Sequence, residues 1–443
     1  MSSGDEASHP IPQVAYERWL DALARAGWPA PPGTPGDGDG TWTGRTDLVL
    51  VGEALGRVTT MPVVARWSSP RTSCAAMDGI AVRAADLAAA HGAGDGTVRL
   101  PAGVFAWIDT GDPMPPDMDT VVIRERLLPQ SDGSVIVVAP ADGEGGGQRT
   151  GHGEPGRHVR AAGEDFAAGE TLLPAGRRLR PGDLSAAAAG GHVAVTVARR
   201  PVVAIIPTGD EIRPVGAVPR RGDIIDTNSL MLAARCRQLS AEPLVSAVVP
   251  DDPDALAVEL RRAAAQADLV LVIAGSSRGR DDHAAAVLAQ VGGVAVAGVA
   301  VRPGHPALLG HAKPPTGAHG QAADRAGIAP VVGLPGYPLA TAVIFELFAV
   351  PLLAAITGQA PIRNRVAARL DRDWTSPAGL ENWVLVTLAK DGGGGIPLAT
   401  PARRGAGATS LLAQADAWWP IPADRVTFAA GTEIEIFPIP GAG

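Results

Sequence analysis

The chain has 443 residues, of which 38 are Lys or Arg and 46 are Asp or Glu, giving a formal charge of −8. At about 100–200 residues per domain this length calls for several domains, and 46 % hydrophobic residues excludes wholesale disorder. The acidic balance argues against a general nucleic-acid binder, while 55 Gly and 40 Pro imply many short connections and exclude a coiled coil or plain helical bundle.

In chain order, the first ten residues read as unstructured. Residues 16–26 (YERWLDALARA) place Trp19, Leu20 and Leu23 on one face of a short helix. A Pro/Gly linker follows over 29–44. From 45 to 182, runs such as VVIRE, SVIVV and TLL alternate with Gly, Pro and Asp, which reads as β-rich material. The Gly cluster of 142–156 is not placed between a strand and a helix, so it reads as a loop rather than a phosphate cradle. From 183 to 358 apolar strands (202–206, 244–249, 269–273, 331–334) alternate with helices, the pattern of a parallel sheet covered on both faces. Asn228 is expected to cap one helix, and Asp252 to cap another that begins at Pro253. The last 80 or so residues return to strands, predicting a small C-terminal β domain.

The expected fold class is therefore α/β with β-rich segments. Its coarse divisions are a β-rich stretch over 45–182, an α/β stretch over 183–358 and a β stretch over 361–443. Cys74 and Cys236 are too few for a disulfide framework or a four-thiolate zinc site. With Asp5 and Glu6 near the start there is no secretory pattern, and a cytoplasmic location is expected. The uncharged runs 284–301 and 340–358 are broken by Gly292-Gly293 and by Glu346 and Pro351; both read as core, and no membrane is expected as a partner. Trp418-Trp419 reads as a local core pair, and Cys74 as a packing residue.

Ligands of open α/β sheets bind outside the carboxyl ends of the strands. Three such ends carry polar turns. The first has Thr208, Gly209, Asp210 and Glu211. The second has Gly275, Ser276, Ser277, Arg278, Gly279, Arg280, Asp281 and Asp282. The third has Pro335, Gly336 and Pro338 leading into a helix. Hydroxyls, amides and arginines suit phosphate, and carboxylates suit Mg²⁺. A fourth turn, 301–310, adds Arg302 and His305 between prolines.

These residues fall in blocks. CAAMDGIAVRAADL (74–87) is similar to an S-A-M-D-G-x-A-V segment, and IDTGDPMPPDMDTVVIRE (108–125) to T-G-x-P-x-P-x-x-A-D-x-V-V-x-x-E. With 162–184, 199–212, 223–243, the Ser/Gly/Asp loop, PGHP and LPGYP, the chain resembles the molybdenum-insertion proteins of molybdenum-cofactor synthesis, the MoeA and gephyrin E-domain family, from about residue 45 to the end. The resemblance implies a homodimer of elongated four-part subunits, with a β-rich linker domain of 45–66 and 159–182, a β-rich lobe of 67–158, a doubly wound molybdopterin-binding-like domain of 11–28 and 183–360, and a C-terminal β domain of 361–443. It also implies a reaction of adenylylated molybdopterin with molybdate that releases AMP, with Mg²⁺ present. By motif position it puts the functional residues on Asp78, Thr110, Asp165, Glu211 and Asp282, with Glu211 and Asp282 on the metal side. Three blocks depart from the family pattern: 274–279 reads AGSSRG, the Lys of P-G-K-P is His305, and the Asn of L-P-G-N-P is Tyr337. A non-catalytic molybdopterin-binding scaffold, tungstate in place of molybdate, and a nucleotide pyrophosphatase remain as alternatives.

Overall fold

The structure, a computed structural model, describes residues 9–29, 44–90, 97–138, 154–274, 283–316, 327–359, 364–390, 395–402 and 409–440. The chain forms two compact units, Thr46–Val197 and a discontinuous one made of Met1–Arg45 and Ala198–Gly443. Helix α1 (Pro12–Arg25) opens the discontinuous unit. It starts earlier than the apolar pattern suggests because a proline in the first turn has no amide hydrogen to leave unsatisfied. Ala15, Trp19 and Leu23, spaced by one turn, are all fully buried.

In the unit Thr46–Val197, strand β1 (Thr46–Leu50) pairs with β8 (Ala194–Ala198), near the unit's end. Val51, Ala54, Val63, Leu173, Leu179, Ala187, Val195 and Val197 form one core. The stretch 183–197, expected with the α/β domain, therefore packs here: the side chains of helix α2 (Pro181–Ala189) are answered by Leu173 and Val51, not by the large sheet. A second core lies between two three-stranded antiparallel sheets. One orders β4 (Ala106–Ile108), β2 (Gly79–Val82) and β5 (Thr120–Ile123); the other orders β3 (Thr97–Leu100), β7 (Val135–Val138) and β6 (Leu127–Pro129). Ile80, Val82, Val98, Leu100, Val122, Val135 and Val137 fill the space between them. A Cβ at Gly79 would stand 1.9 Å from the Val122 carbonyl oxygen, so glycine alone lets β2 and β5 close directly after Asp78.

In the discontinuous unit a six-stranded sheet orders β10 (Glu242–Val245), β9 (Val202–Pro207), β11 (Leu269–Ala274), β15 (Ala329–Pro335), β14 (Leu308–Ala312) and β12 (Gly292–Ala297). The first four are parallel, β14 runs antiparallel to β15, and β12 runs antiparallel to β14, so β14 alone is reversed and the sheet is mixed rather than wholly parallel. Successive side chains of a strand point to opposite faces. Accordingly Val203, Ile205, Leu271 and Val332 pack with α1, α3 (Thr227–Gln238) and α6 (Pro338–Ile344), while Ala204, Ile206, Val272 and Val331 pack with α4 (Pro253–Gln266) and α5 (Ala284–Val291). Helices on both faces explain why these strands read as unbroken apolar runs.

Three local readings change. Asp226, not Asn228, caps α3, its carboxylate accepting from the Ser229 amide at 2.9 Å. The expected buried strand 244–249 is the short edge strand β10, where Leu244 and Val245 are 39 % and 49 % exposed. Helix α6 continues through a π-type turn, Phe345–Ala349, into Val350–Ile356, and that wider turn accommodates Pro351. This helical run is long and apolar enough to cross a membrane, but 67 % of its most apolar window is buried, with Phe345, Phe348 and Leu352 in the core against the sheet.

The C-terminal β domain is a closed barrel of β16 (Val366–Leu370), β17 (Glu381–Ala389), β18 (Leu398–Pro401), β19 (Ala417–Ile421) and β20 (Glu433–Pro438), with β19 pairing back to β17. Closure leaves no sheet edge to protect. Trp418 and Trp419 are both buried, on opposite faces of β19: Trp418 meets Trp383, and Trp419 meets Phe428.

Candidate functional site

Parallel register brings the predicted strand ends together. Pro207 pairs with Ile273, and Ala274 with Pro335, so β9, β11 and β15 end side by side at one edge of the sheet. The first turn is tied to that edge by Thr208, whose amide and hydroxyl both donate to the Ile273 carbonyl, at 3.0 and 2.9 Å. Gly209 has φ +132°, and a Cβ there would meet the Glu211 carboxylate at 2.9 Å. Glu211 therefore folds over a backbone position that only glycine leaves open. Beyond it, the Asp210 and Asp251 carboxylates each accept the other residue's amide, at 3.3 and 3.2 Å. The second turn, with Gly275, Ser276, Ser277, Arg278, Arg280 and Asp282, lies outside the described residues. The third is held by Thr341, whose hydroxyl donates to the Pro335 and Tyr337 carbonyls, while Pro338 starts α6.

Asn228, expected as a helix cap, belongs to this edge instead. Asn228 is 7 % exposed and its Nδ2 donates to the Gly336 carbonyl at 2.7 Å, stitching the start of α3 to the third turn. Its Oδ1 and the Ser229 hydroxyl are buried without a hydrogen-bond partner. Such groups are uncommon in a folded interior and mark a place where a polar partner is accommodated. An Asn–carbonyl contact across 108 residues has no local signature.

The fourth predicted turn is divided. Arg302 is in β13 (Val301–Arg302), paired with Asn382 of the barrel. The His305 ring stacks on His9 at 6.3 Å between centroids, and its carbonyl accepts from the Val299 amide at 2.8 Å.

In the unit Thr46–Val197, two predicted residues from separate blocks meet. Asp78 Oδ1 accepts from both the amide and the hydroxyl of Thr110, each at 2.7 Å, across 32 residues. Those two hydrogen bonds, with the nearby Arg124 guanidinium, hold the Asp78 carboxyl below its ordinary pKa despite some desolvation. Arg124, which the motif reading passed over, donates its amide to the Asp78 carbonyl at 2.9 Å and pairs with Asp109 at 2.9 Å. Asp165 sits elsewhere, its amide on the Ser69 carbonyl at 3.0 Å; no hydrogen bond among the described residues joins it to Asp78 or Thr110. Cys74 is buried as a free thiol, in line with a packing role. Among the described residues no three His, Cys, Asp or Glu side chains are grouped as a metal site.

Comparison with known proteins supplies the relatives. Residues 20–191 match the family model "MoeA N-terminal region (domain I and II)", 204–355 the "Probable molybdopterin binding domain", and 367–439 the "MoeA C-terminal region (domain IV)". A Mycobacterium tuberculosis protein named molybdopterin molybdenumtransferase 2 is 32 % identical over 89 % of this chain and 95 % of its own length. A Nostoc molybdopterin molybdenumtransferase is 32 % identical over 71 % of this chain and 70 % of its own. The crystal structure of a MoeA molybdopterin-biosynthesis protein from Pyrococcus horikosii superposes with a TM-score of 0.75 at 27 % identity, covering 97 % of this chain and 99 % of that one. Family models spanning most of the chain and relatives at this identity and coverage establish that the chain belongs to the MoeA family of molybdopterin molybdenumtransferases.

Proposed function

We propose that this chain catalyses molybdenum insertion in molybdenum-cofactor biosynthesis, taking adenylylated molybdopterin and molybdate and releasing AMP. The observation that carries the reading is the Asp78–Thr110 junction. Two residues assigned by separate sequence blocks share a pair of 2.7 Å hydrogen bonds on an exposed loop, leaving an ionised carboxylate oxygen free. Thr208, Gly209, Glu211 and Gly336 on the sheet edge, with Asp165 and the residues of 275–282 including Asp282, complete the proposed set.

Cleaving a phosphoanhydride requires neutralising phosphate charge. Magnesium commonly uses one or two carboxylates together with substrate phosphates, rather than an all-protein cage. In this reading Glu211 and Asp282 would be the protein ligands, with substrate phosphate completing the shell. When bound, the cation would supply charge neutralisation at the phosphates. The chain's own part is to hold Asp78 ionised and to present amides and hydroxyls at the strand ends.

Arg302 and His305 are proposed to face the oxyanion, molybdate or tungstate, and homodimerisation and a cytoplasmic location belong to the same reading. Glu211→Ala and Asp282→Ala are expected to abolish AMP release while leaving the oligomeric state intact, as read by a nucleotide-release assay beside light scattering. Unchanged turnover in both would overturn the assignment. Tight molybdopterin binding without AMP release in the wild type would favour the scaffold reading, which His305 and Tyr337 motivate.

A further inference from the structure

We propose that Arg126, Arg157 and His158 form an anion subsite in the unit Thr46–Val197 that takes a phosphate group of the substrate. The proposal rests on the substrate class given above.

The three side chains flank the Asp78 loop through backbone pairing. The Arg157 carbonyl accepts from the Val121 amide at 3.0 Å, and the His158 carbonyl accepts from the Ala76 amide at 2.8 Å. Val159 pairs with Ala75, so the segment 157–159 lies between the approach to Asp78 and strand β5. Arg126 follows β5 on the short turn Arg124–Arg126, whose first amide is bonded to the Asp78 carbonyl. Arg157 Nε contacts His158 Nε2 at 3.4 Å, with the imidazole as acceptor. His158 adopts φ +55°, an uncommon backbone state for a residue with a side chain.

The charge around this group is unbalanced. Arg124 is paired with Asp109 and Arg160 with Glu164. Neither Arg126 nor Arg157 has an ion-pair partner among the described residues, and the neighbouring Glu125 and Glu154 are exposed and make none either. Partial burial, and beside it the Arg157 and Arg126 guanidiniums, hold the pKa of His158 below its ordinary value. Two half-buried cations without a counter-charge repel each other, and a dianion between them removes that repulsion. The guanidinium fork also matches phosphate oxygens in pairs. The ionised Asp78 would reject a phosphate, so the two halves of this surface divide the labour: Asp78 and Thr110 meet uncharged polar groups, and the arginine side meets the anion.

The test is calorimetric titration of the full chain with AMP, adenosine and inorganic pyrophosphate. The wild type is compared with the double variant Arg126→Ala/Arg157→Ala and with the double Lys variant, after matched unfolding curves show that all are folded. The Ala double is expected to weaken AMP and pyrophosphate about tenfold or more, to leave adenosine unchanged, and to flatten the salt dependence. The Lys double recovers part of the loss because it restores charge without the fork. Equal affinities for AMP and pyrophosphate in wild type and Ala double overturn the subsite while leaving the substrate reading in place. So does an equal loss for adenosine, which would signal structural damage. A wild type that binds none of the three compounds overturns the substrate reading and the subsite together.

Discussion

Asp78 shows how much one carboxylate depends on its immediate donors. It is exposed, so its lowered pKa comes from the Thr110 amide and hydroxyl ahead of any charge. Thr110→Ala deletes the hydroxyl and keeps the amide, so the carboxyl is expected to titrate at higher pH, visible by NMR. If the ionised form is the working one, the acid limb of the AMP-release profile moves up with it. Asn228 makes a stability prediction instead. Asn228→Ala removes the bond to Gly336 in a buried setting and should cost about 1–3 kcal/mol in denaturant unfolding. Here the sequence was ambiguous for a physical reason. Asn and Asp are about equal as helix caps, and what decided between Asp226 and Asn228 was a carbonyl in a turn more than a hundred residues away.

At the scale of elements, the sheet is held by close approaches that residue patterns only hint at. A Cβ at Gly310 would lie 2.2 Å from the Gly293 carbonyl oxygen, and the Gly310 carbonyl itself accepts from Trp19 Nε1 at 2.8 Å. Gly310→Ala must therefore part β12 from β14, and a loss of about 3 kcal/mol or more in thermal or denaturant unfolding is expected. Next to it, the His311 ring covers Gly293 with Nδ1 buried and unpartnered, and burial and Lys313 both lower its pKa. The unfolded chain, with an ordinary histidine, then binds the proton more readily than the fold. Stability should fall as the pH drops below about 6.5 and level off under the folded pKa. Urea midpoints from pH 8 to 5 check this, and the slope should shrink in His311→Gln. Strand existence was legible here because both faces are buried. Strand direction was not, since a buried strand reads as an apolar run whether its neighbour is parallel or antiparallel. The edge strand β10 shows the opposite limit: its run looked like core, yet it sits at the border of the sheet, where Pro243 lacks an amide hydrogen to offer a further strand.

Across the whole molecule, helix α1 is separated in sequence from the sheet it completes by the entire unit Thr46–Val197. Trp19 is fully buried in the core that also holds Val332, Phe345 and Phe348. Trp19→Ala is expected to destabilise the discontinuous unit by about 3–5 kcal/mol. The transition of the unit Thr46–Val197 should stay where it was, which two-stage unfolding followed by hydrogen exchange would resolve. The sequence alone determined what depends on short-range pattern and on motif order: the alternation that makes an α/β sheet, the closing β domain, the strand-end turns, and the family. Tertiary structure decided what depends on partners distant along the chain. It placed 183–197 with the first β-rich core, reversed one strand of the sheet, turned Asn228 from a cap into a bridge, and set Thr110 on Asp78. Local pattern reports the surface a segment must bury or the bond it must satisfy, whereas the identity of the group that answers it exists only once the chain has closed on itself.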